Sequence, residues 1–179
     1  MFGLSIDLST WVSAAKLTKK FGLNFYPKNK KTLPLYIRGT DFLRPIKYYE
    51  SKGSAQVKSS VMLAALNTPG TTKIVAHKSR DHTEILFKYL KIPIKIKKIK
   101  NFDIIKIKGK KRIPALNYRI PSDISSCAFF IVLTVLSKNS ELKIKDVNIN
   151  PSRVGILYIL KMMGVKIKKI NLREYKGEK

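Results

Sequence analysis

Two short stretches of this sequence combine residue types that can hold an anion. Gly53-Ser54-Ala55-Gln56-Val57-Lys58 reads as the start of a helix. The first backbone N–H groups of a helix lack partners within it, and the helix dipole adds partial positive charge there, so such a start attracts negative groups. Gly53 and Ala55 are small enough for close backbone approach, the Ser54 hydroxyl and Gln56 amide can hydrogen-bond a phosphate or polyol, and Lys58 lies near in sequence. At Ser79-Arg80-Asp81-His82, a hydroxyl and a guanidinium fork stand at the next helix start, suited to bidentate phosphate recognition. Each stretch alone is also the pattern of an ordinary cap beside a solvated basic residue.

Other reactive types are sparse. His77 and His82, with Asp81 and Glu84 close by, offer no third ligand at a standard metal spacing, so no metal is expected. Cys127 lies in the apolar run Ser125-Ser-Cys-Ala-Phe-Phe-Ile-Val and reads as a small buried hydrophobe. No Ser-His-Asp or Cys-His arrangement is legible.

The elements that must carry these starts follow from periodicity. A helix is expected over 56–66, then the turn Thr68-Pro-Gly70 and a strand over 72–75. A second helix is expected over 81–90, with Asp81 and Glu84 spaced as a capping box. Strands are expected over 92–99, 104–108 and 116–120. In Lys91-Ile-Pro-Ile-Lys-Ile-Lys-Lys-Ile-Lys100, alternation puts Ile on one face of a strand and Lys on the other.

This unit repeats. Residues 85–99 overlie 156–170 at a shift of about 71, and Ser54-Ala-Gln-Val matches Ser122-Asp-Ile-Ser at about 68. In the later copy Pro151 is expected to open the second helix and Gly164 to close it. A partial copy comes first: Lys19-Lys-Phe-Gly22 ends a helix, and Leu35-Tyr-Ile-Arg-Gly39 matches residues 105–109. The chain is therefore expected to be α/β, built from βαβαββ units of about 70 residues and incomplete, as a piece of something larger.

Composition is less decisive than it first looks. With 37 Lys+Arg against 11 Asp+Glu the formal charge is +26, which favours anionic partners and raises a basic nucleic-acid-binding module as an alternative. Only seven of those residues are Arg, and no aromatic-interleaved basic stretch occurs, so nucleic acid is not expected. A genomic bias toward AT-rich codons would enrich Ile, Lys and Asn in the same way. No apolar run is long enough to span a membrane, Met1 to Ala15 is neither a signal nor a transit peptide, and a single cysteine fits a reducing compartment. A cytoplasmic location is expected.

Taken in order, Leu33-Pro-Leu-Tyr-Ile-Arg-Gly39, Ser54-Ala-Gln-Val-Lys-Ser-Ser-Val-Met-Leu-Ala-Ala-Leu66, Gly70-Thr-Thr72, Ser79-Arg-Asp-His-Thr-Glu84, Asp123-Ile-Ser-Ser-Cys-Ala-Phe-Phe130 and Asn150-Pro-Ser-Arg-Val-Gly-Ile-Leu157 resemble successive signatures of enolpyruvylshikimate-phosphate synthases. The resemblance covers about residues 16–174. Its Ser-Ala-Gln-Val-Lys-Ser and Ser-Arg-Asp-His-Thr-Glu pieces disfavour the related enolpyruvyl transferase acting on UDP-N-acetylglucosamine.

The resemblance implies an inverse α/β barrel fold. Residues 16–120 would form the later half of a first barrel domain, 121–179 would begin the main part of a second, and 1–15 do not match. It implies transfer of the enolpyruvyl group of phosphoenolpyruvate to the 5-hydroxyl of shikimate 3-phosphate, without metal or organic cofactor. Ser54, Ala55 and Gln56 match the family segment that holds the shikimate phosphate, with Gln56 also placed to touch phosphoenolpyruvate; Ser79 and Arg80 match a second phosphate contact. The family's acid–base groups have no counterpart in these residues. A complete site is therefore expected to need the missing parts of the same enzyme, and the chain alone is expected to be inactive.

Overall fold

The computed structural model describes residue 17 and residues 19–26, 36–109 and 112–178. The expectations for residues 1–16 and for Leu33 to Leu35 lie outside the described residues. Contacts divide the chain into two compact units, Met1–Ile113 and Pro114–Lys179.

In the first unit, residues 19–21 are helical and Gly22 closes the turn with φ +106, its N–H donating to the Lys19 carbonyl. Strands β1 (Asn24–Tyr26) and β2 (Tyr36–Arg38) then pair antiparallel, Phe25 facing Ile37 in register. One complete repeat follows. It runs β3 (Lys47–Glu50), α1 (Ala55–Asn67), β4 (Thr71–His77), α2 (His82–Tyr89), β5 (Ile94–Lys98) and β6 (Phe102–Lys108). The four strands make one sheet in the order β3-β4-β6-β5. β3 and β4 are parallel, as a helical crossover requires, and the other pairings are antiparallel. This is the βαβαββ unit expected from the sequence.

Burial follows the side-chain periods. On β4 the residues Thr72, Ile74 and Ala76 are buried and their neighbours are not; on β6 the buried set is Asp103, Ile105 and Ile107. Against this face α1 sets Val57, Lys58, Val61, Met62 and Ala65, a stripe at three- and four-residue spacing. Phe87 of α2, Ile92, Phe21 and Leu17 complete the cluster. Each fully buried side chain of Ile, Met or Phe size contributes roughly 1.5–3 kcal/mol, so this face holds the unit together. Lys95 and Lys97 are exposed, as alternation predicts, and so are Lys106 and Lys108; Lys98, on the Ile94 and Ile96 side, is exposed at the strand end.

The second unit repeats the beginning of the pattern. Ser122 bridges Val147 in parallel, with α3 (Ile124–Leu136) between them, and α4 (Gly155–Met162) follows. Several expectations need correcting. The match of Ser122 to the Ser54 cap implied a cap at Ser122; Asp123 instead caps α3, its carboxylate accepting from the Ser125 N–H at 3.2 Å. Residues 151–154 form a turn ahead of α4, so Pro151 does not open that helix. The α2 and α4 helices both close with a residue in left-handed backbone, Lys91 at φ +55 and Gly164 at φ +87. Ile92 and Val165 then donate back to the carbonyls of Phe87 and Leu160. The repeat register there is 73 residues rather than 71, because the closing turn and not Pro93 is the landmark.

Residues 116–120 and 165–170 are not strands. A strand exists through its ladder, and among the described residues nothing pairs with either segment. Among the described residues no helix is long and apolar enough to cross a membrane.

Candidate functional site

Both candidate helix starts lie in the first unit, at the ends of the parallel strands β3 and β4, where the chain turns into α1 and α2. The segment after β3 is held by Glu50, whose Oε1 accepts from the Lys52 N–H at 2.9 Å. Gly53 then takes φ +68, a conformation that glycine reaches without strain. A Cβ placed on it would lie 3.8 Å from the Lys78 carbonyl oxygen and 3.9 Å from His77 Cβ. The approach to α1 therefore runs directly beside the approach to α2.

Ser54 is the N-cap of α1, its Oγ accepting from the Val57 N–H at 3.3 Å. Ser54 and Ala55 are half-buried and Gln56 is exposed. Beyond β4, Ser79 is half-buried and Arg80 exposed. Among the described residues nothing hydrogen-bonds the buried Ser79 Oγ. A buried hydroxyl left in this state costs roughly 1–3 kcal/mol. Thr72 Oγ1, Glu50 Oε2 and Asp103 Oδ1 share this status, but of these groups only Ser79 stands at one of the two candidate helix starts.

The structure brings the two starts together through a residue assigned otherwise from the sequence. Lys58 does not project toward a ligand. It is 1% exposed, with Nζ 2.6 Å from Glu84 Oε1 and 2.8 Å from the Arg80 carbonyl oxygen. Glu84 correspondingly does not form a capping box with Asp81, whose side chain makes no capping bond. A carboxylate buried beside Lys58 gains more from the ammonium than from a backbone amide. Ser59 Oγ and Thr83 Oγ1, 2.7 Å apart, join the same two helices at the adjacent residues.

Sequence reasoning missed Glu84 and its role. A signal was present: Lys58 falls on the apolar stripe of α1, and a lysine there must find a buried counter-charge.

His77 is engaged in ring packing, 4.2 Å from Phe102 and 6.4 Å from Tyr49 between centroids. Cys127 is a half-buried free thiol rather than fully buried, because the helix that carries it exposes Phe129, Phe130, Leu133 and Leu136.

The second unit carries a related arrangement at the corresponding positions. Its cap, Asp123, is bonded by the Arg153 guanidinium, which also donates to Ser125 Oγ at 2.7 Å. Burial, the largest influence, pushes the Asp123 carboxyl up. The Ser125 N–H, the Arg153 charge and bonds from Ser126 and Arg153 outweigh it and hold the group below the usual aspartate value. Asn150, buried, accepts from the Ser152 N–H at 2.8 Å and shapes the turn that presents Arg153.

Comparison with known proteins places these features in one family. The family model of EPSP synthase (3-phosphoshikimate 1-carboxyvinyltransferase) matches residues 18–177. The 3-phosphoshikimate 1-carboxyvinyltransferase of Petrotoga mobilis is 43% identical over 164 residues, covering 90% of this chain and 37% of its own. That of Novosphingobium aromaticivorans is 33% identical over 183 residues, covering 95% and 42%. The solved EPSP synthase of Acinetobacter baumannii superposes with a TM-score of 0.75 at 34% identity, covering 93% of this chain and 37% of that one. The chain thus spans about two fifths of the length of the relatives it matches, with the fold of their inverse α/β barrel. It belongs to the EPSP synthase family.

Proposed function

We propose that this chain contributes the phosphate-binding half of a shikimate 3-phosphate site in an enolpyruvyl transferase. The observation that carries the reading is the pairing of two adjacent helix starts with a buried hydroxyl, Ser79 Oγ, that nothing among the described residues hydrogen-bonds, next to the exposed Arg80. Free amides at the start of α1, the Ser54 and Ser79 hydroxyls and the Arg80 fork supply donors without an acidic residue among these four groups. That set suits a phosphate dianion better than a neutral sugar. The exposure of Gln56 on the first turn of α1 supports assigning it a contact with phosphoenolpyruvate.

In the reaction so assigned, the 5-hydroxyl of shikimate 3-phosphate attacks the enol carbon of phosphoenolpyruvate. The hydroxyl loses its proton as the methylene gains one, giving a tetrahedral intermediate; a proton then leaves the new methyl group as phosphate departs, which restores the double bond. The residues named here bind and orient; none is assigned as acid or base. General acid–base and electrostatic groups each supply roughly 10²-fold or more, so the isolated chain is expected to turn over neither substrate without complementing segments of the enzyme. The reading includes a cytoplasmic location and no cofactor.

The test is calorimetric titration of shikimate 3-phosphate into the chain and into the double variant Ser54→Ala with Gln56→Ala. Loss of about tenfold or more in affinity is expected from removing two polar contacts. Equal affinities would remove Ser54 and Gln56 from the site.

A further inference from the structure

We propose that Lys58 and Glu84 are positioning residues: their buried ion pair sets the spacing between the Ser54 and Ser79–Arg80 helix starts, so that both face one phosphate. This rests on the assignment of those starts as a phosphate site. Lys58 sits on α1, one turn beyond the Ser54 cap, and Glu84 sits on the first turn of α2. Their side chains are 1% and 5% exposed, so both are buried between the two helices rather than presented to solvent. The same ammonium donates to the Arg80 carbonyl, so one charge holds the helix α2 and the backbone that carries the Arg80 fork.

A merely cohesive role would not require this chemistry. Apolar residues of similar volume commonly replace a buried ion pair with little loss of stability, whereas only a charged or polar donor can tie down the Arg80 carbonyl. The pair therefore fixes geometry: without it the 78–82 segment keeps its packing but loses its anchor to α1. The Lys78 N–H, bonded to the Asn101 carbonyl, and the Ile85 N–H, bonded to the Asp81 carbonyl, bracket that segment and report on its opening.

The experiment compares the unmodified chain with the double variant Lys58→Met with Glu84→Leu. Thermal melting, amide exchange at Lys78 and Ile85, and calorimetric titration with shikimate 3-phosphate are the readouts. Expected are an unchanged melting temperature, exchange at both amides faster by about tenfold, and affinity weaker by about tenfold. Unchanged exchange, or faster exchange with unchanged affinity, would overturn the positioning role. Failure of the unmodified chain to bind would instead overturn the site assignment, leaving the exchange comparison to decide whether the pair holds the segment. Should the double variant melt early, Lys58→Leu with Glu84→Gln, which removes the donor to the Arg80 carbonyl and keeps the volume of Glu84, carries the same exchange and binding comparison.

Discussion

Arg153 bonds the carboxylate of Asp123 across the two helix starts of the second unit. Asp123 caps α3 as Ser54 caps α1, and Arg153 stands two residues before α4 as Arg80 stands two residues before α2. The repeat has thus placed a built-in anion in one copy and a neutral hydroxyl in the other. Where the second unit satisfies its arginine internally, the first leaves Arg80 exposed above donors of the kind that hold Asp123.

This comparison predicts the effect of Ser54→Asp. Aspartate and serine are equivalent caps, so α1 should keep its stability within about 0.5 kcal/mol. The new carboxylate would take the place of the phosphate and repel it. Affinity for shikimate 3-phosphate should fall by about 100-fold or more, since like charges brought together cost several kcal/mol. Calorimetry with a parallel thermal melt checks both halves; undiminished binding would separate the two cradles in function despite their shared geometry.

Ser79 tests the site from the opposite side. Among the described residues nothing hydrogen-bonds its buried Oγ, so Ser79→Ala removes a desolvation cost from the free protein. Stability should stay level or rise by up to about 1 kcal/mol, while affinity for shikimate 3-phosphate falls about tenfold. A loss of stability would mean that the hydroxyl already serves the fold.

How much of this was readable beforehand depended on whether a residue answers to its neighbours or to distant ones. The helix and strand sequence of the complete repeat, the Ile and Lys faces of β5 and the cap at Ser54 follow from local period and chemistry. Lys58 and Glu84 were misread because their partner lies 26 positions away on another helix, and local rules offered each a plausible nearby job. The register of the later repeat was misjudged because Lys91 adopts a left-handed backbone that composition assigns to glycine, as at Gly164. Segments 116–120 and 165–170 alternate like strands, but alternation does not supply the second strand that a ladder needs.

Asp123 also sets a pH dependence for the second unit. Its folded carboxyl titrates below the ordinary value of 3.8, so the unfolded chain takes up the proton first as pH falls. The contribution to stability is therefore complete above about pH 5 and declines as pH drops through 3.8 and then through the lower folded value. In Asp123→Asn the melting temperature of this unit should be lower at neutral pH and less sensitive between pH 5 and 3. Parallel melting profiles for the two proteins would show that the Arg153 contact contributes nothing to folding.

Gly109 controls how closely β6 can end against α1. Its N–H donates to the Gly70 carbonyl at 3.1 Å, and a Cβ on it would lie 2.0 Å from the Thr68 carbonyl oxygen and 2.2 Å from that of Ala65. Both obstacles are backbone at the end of a helix and cannot swing aside as a side chain would. Gly109→Ala must then either separate α1 from the sheet or distort the turn at 68–70. Either route disrupts the apolar contacts of Val61, Met62 and Ala65 with Ile105 and Ile107. A destabilisation of about 3 kcal/mol or more is expected, beyond the usual range for one added methyl group. Because Ser54 begins the same helix, the variant should also weaken shikimate 3-phosphate binding when α1 shifts as a body. Denaturant melts with calorimetry on the folded fraction distinguish that from simple unfolding: stability lost with affinity intact would mean that the turn, and not the helix, absorbs the added carbon.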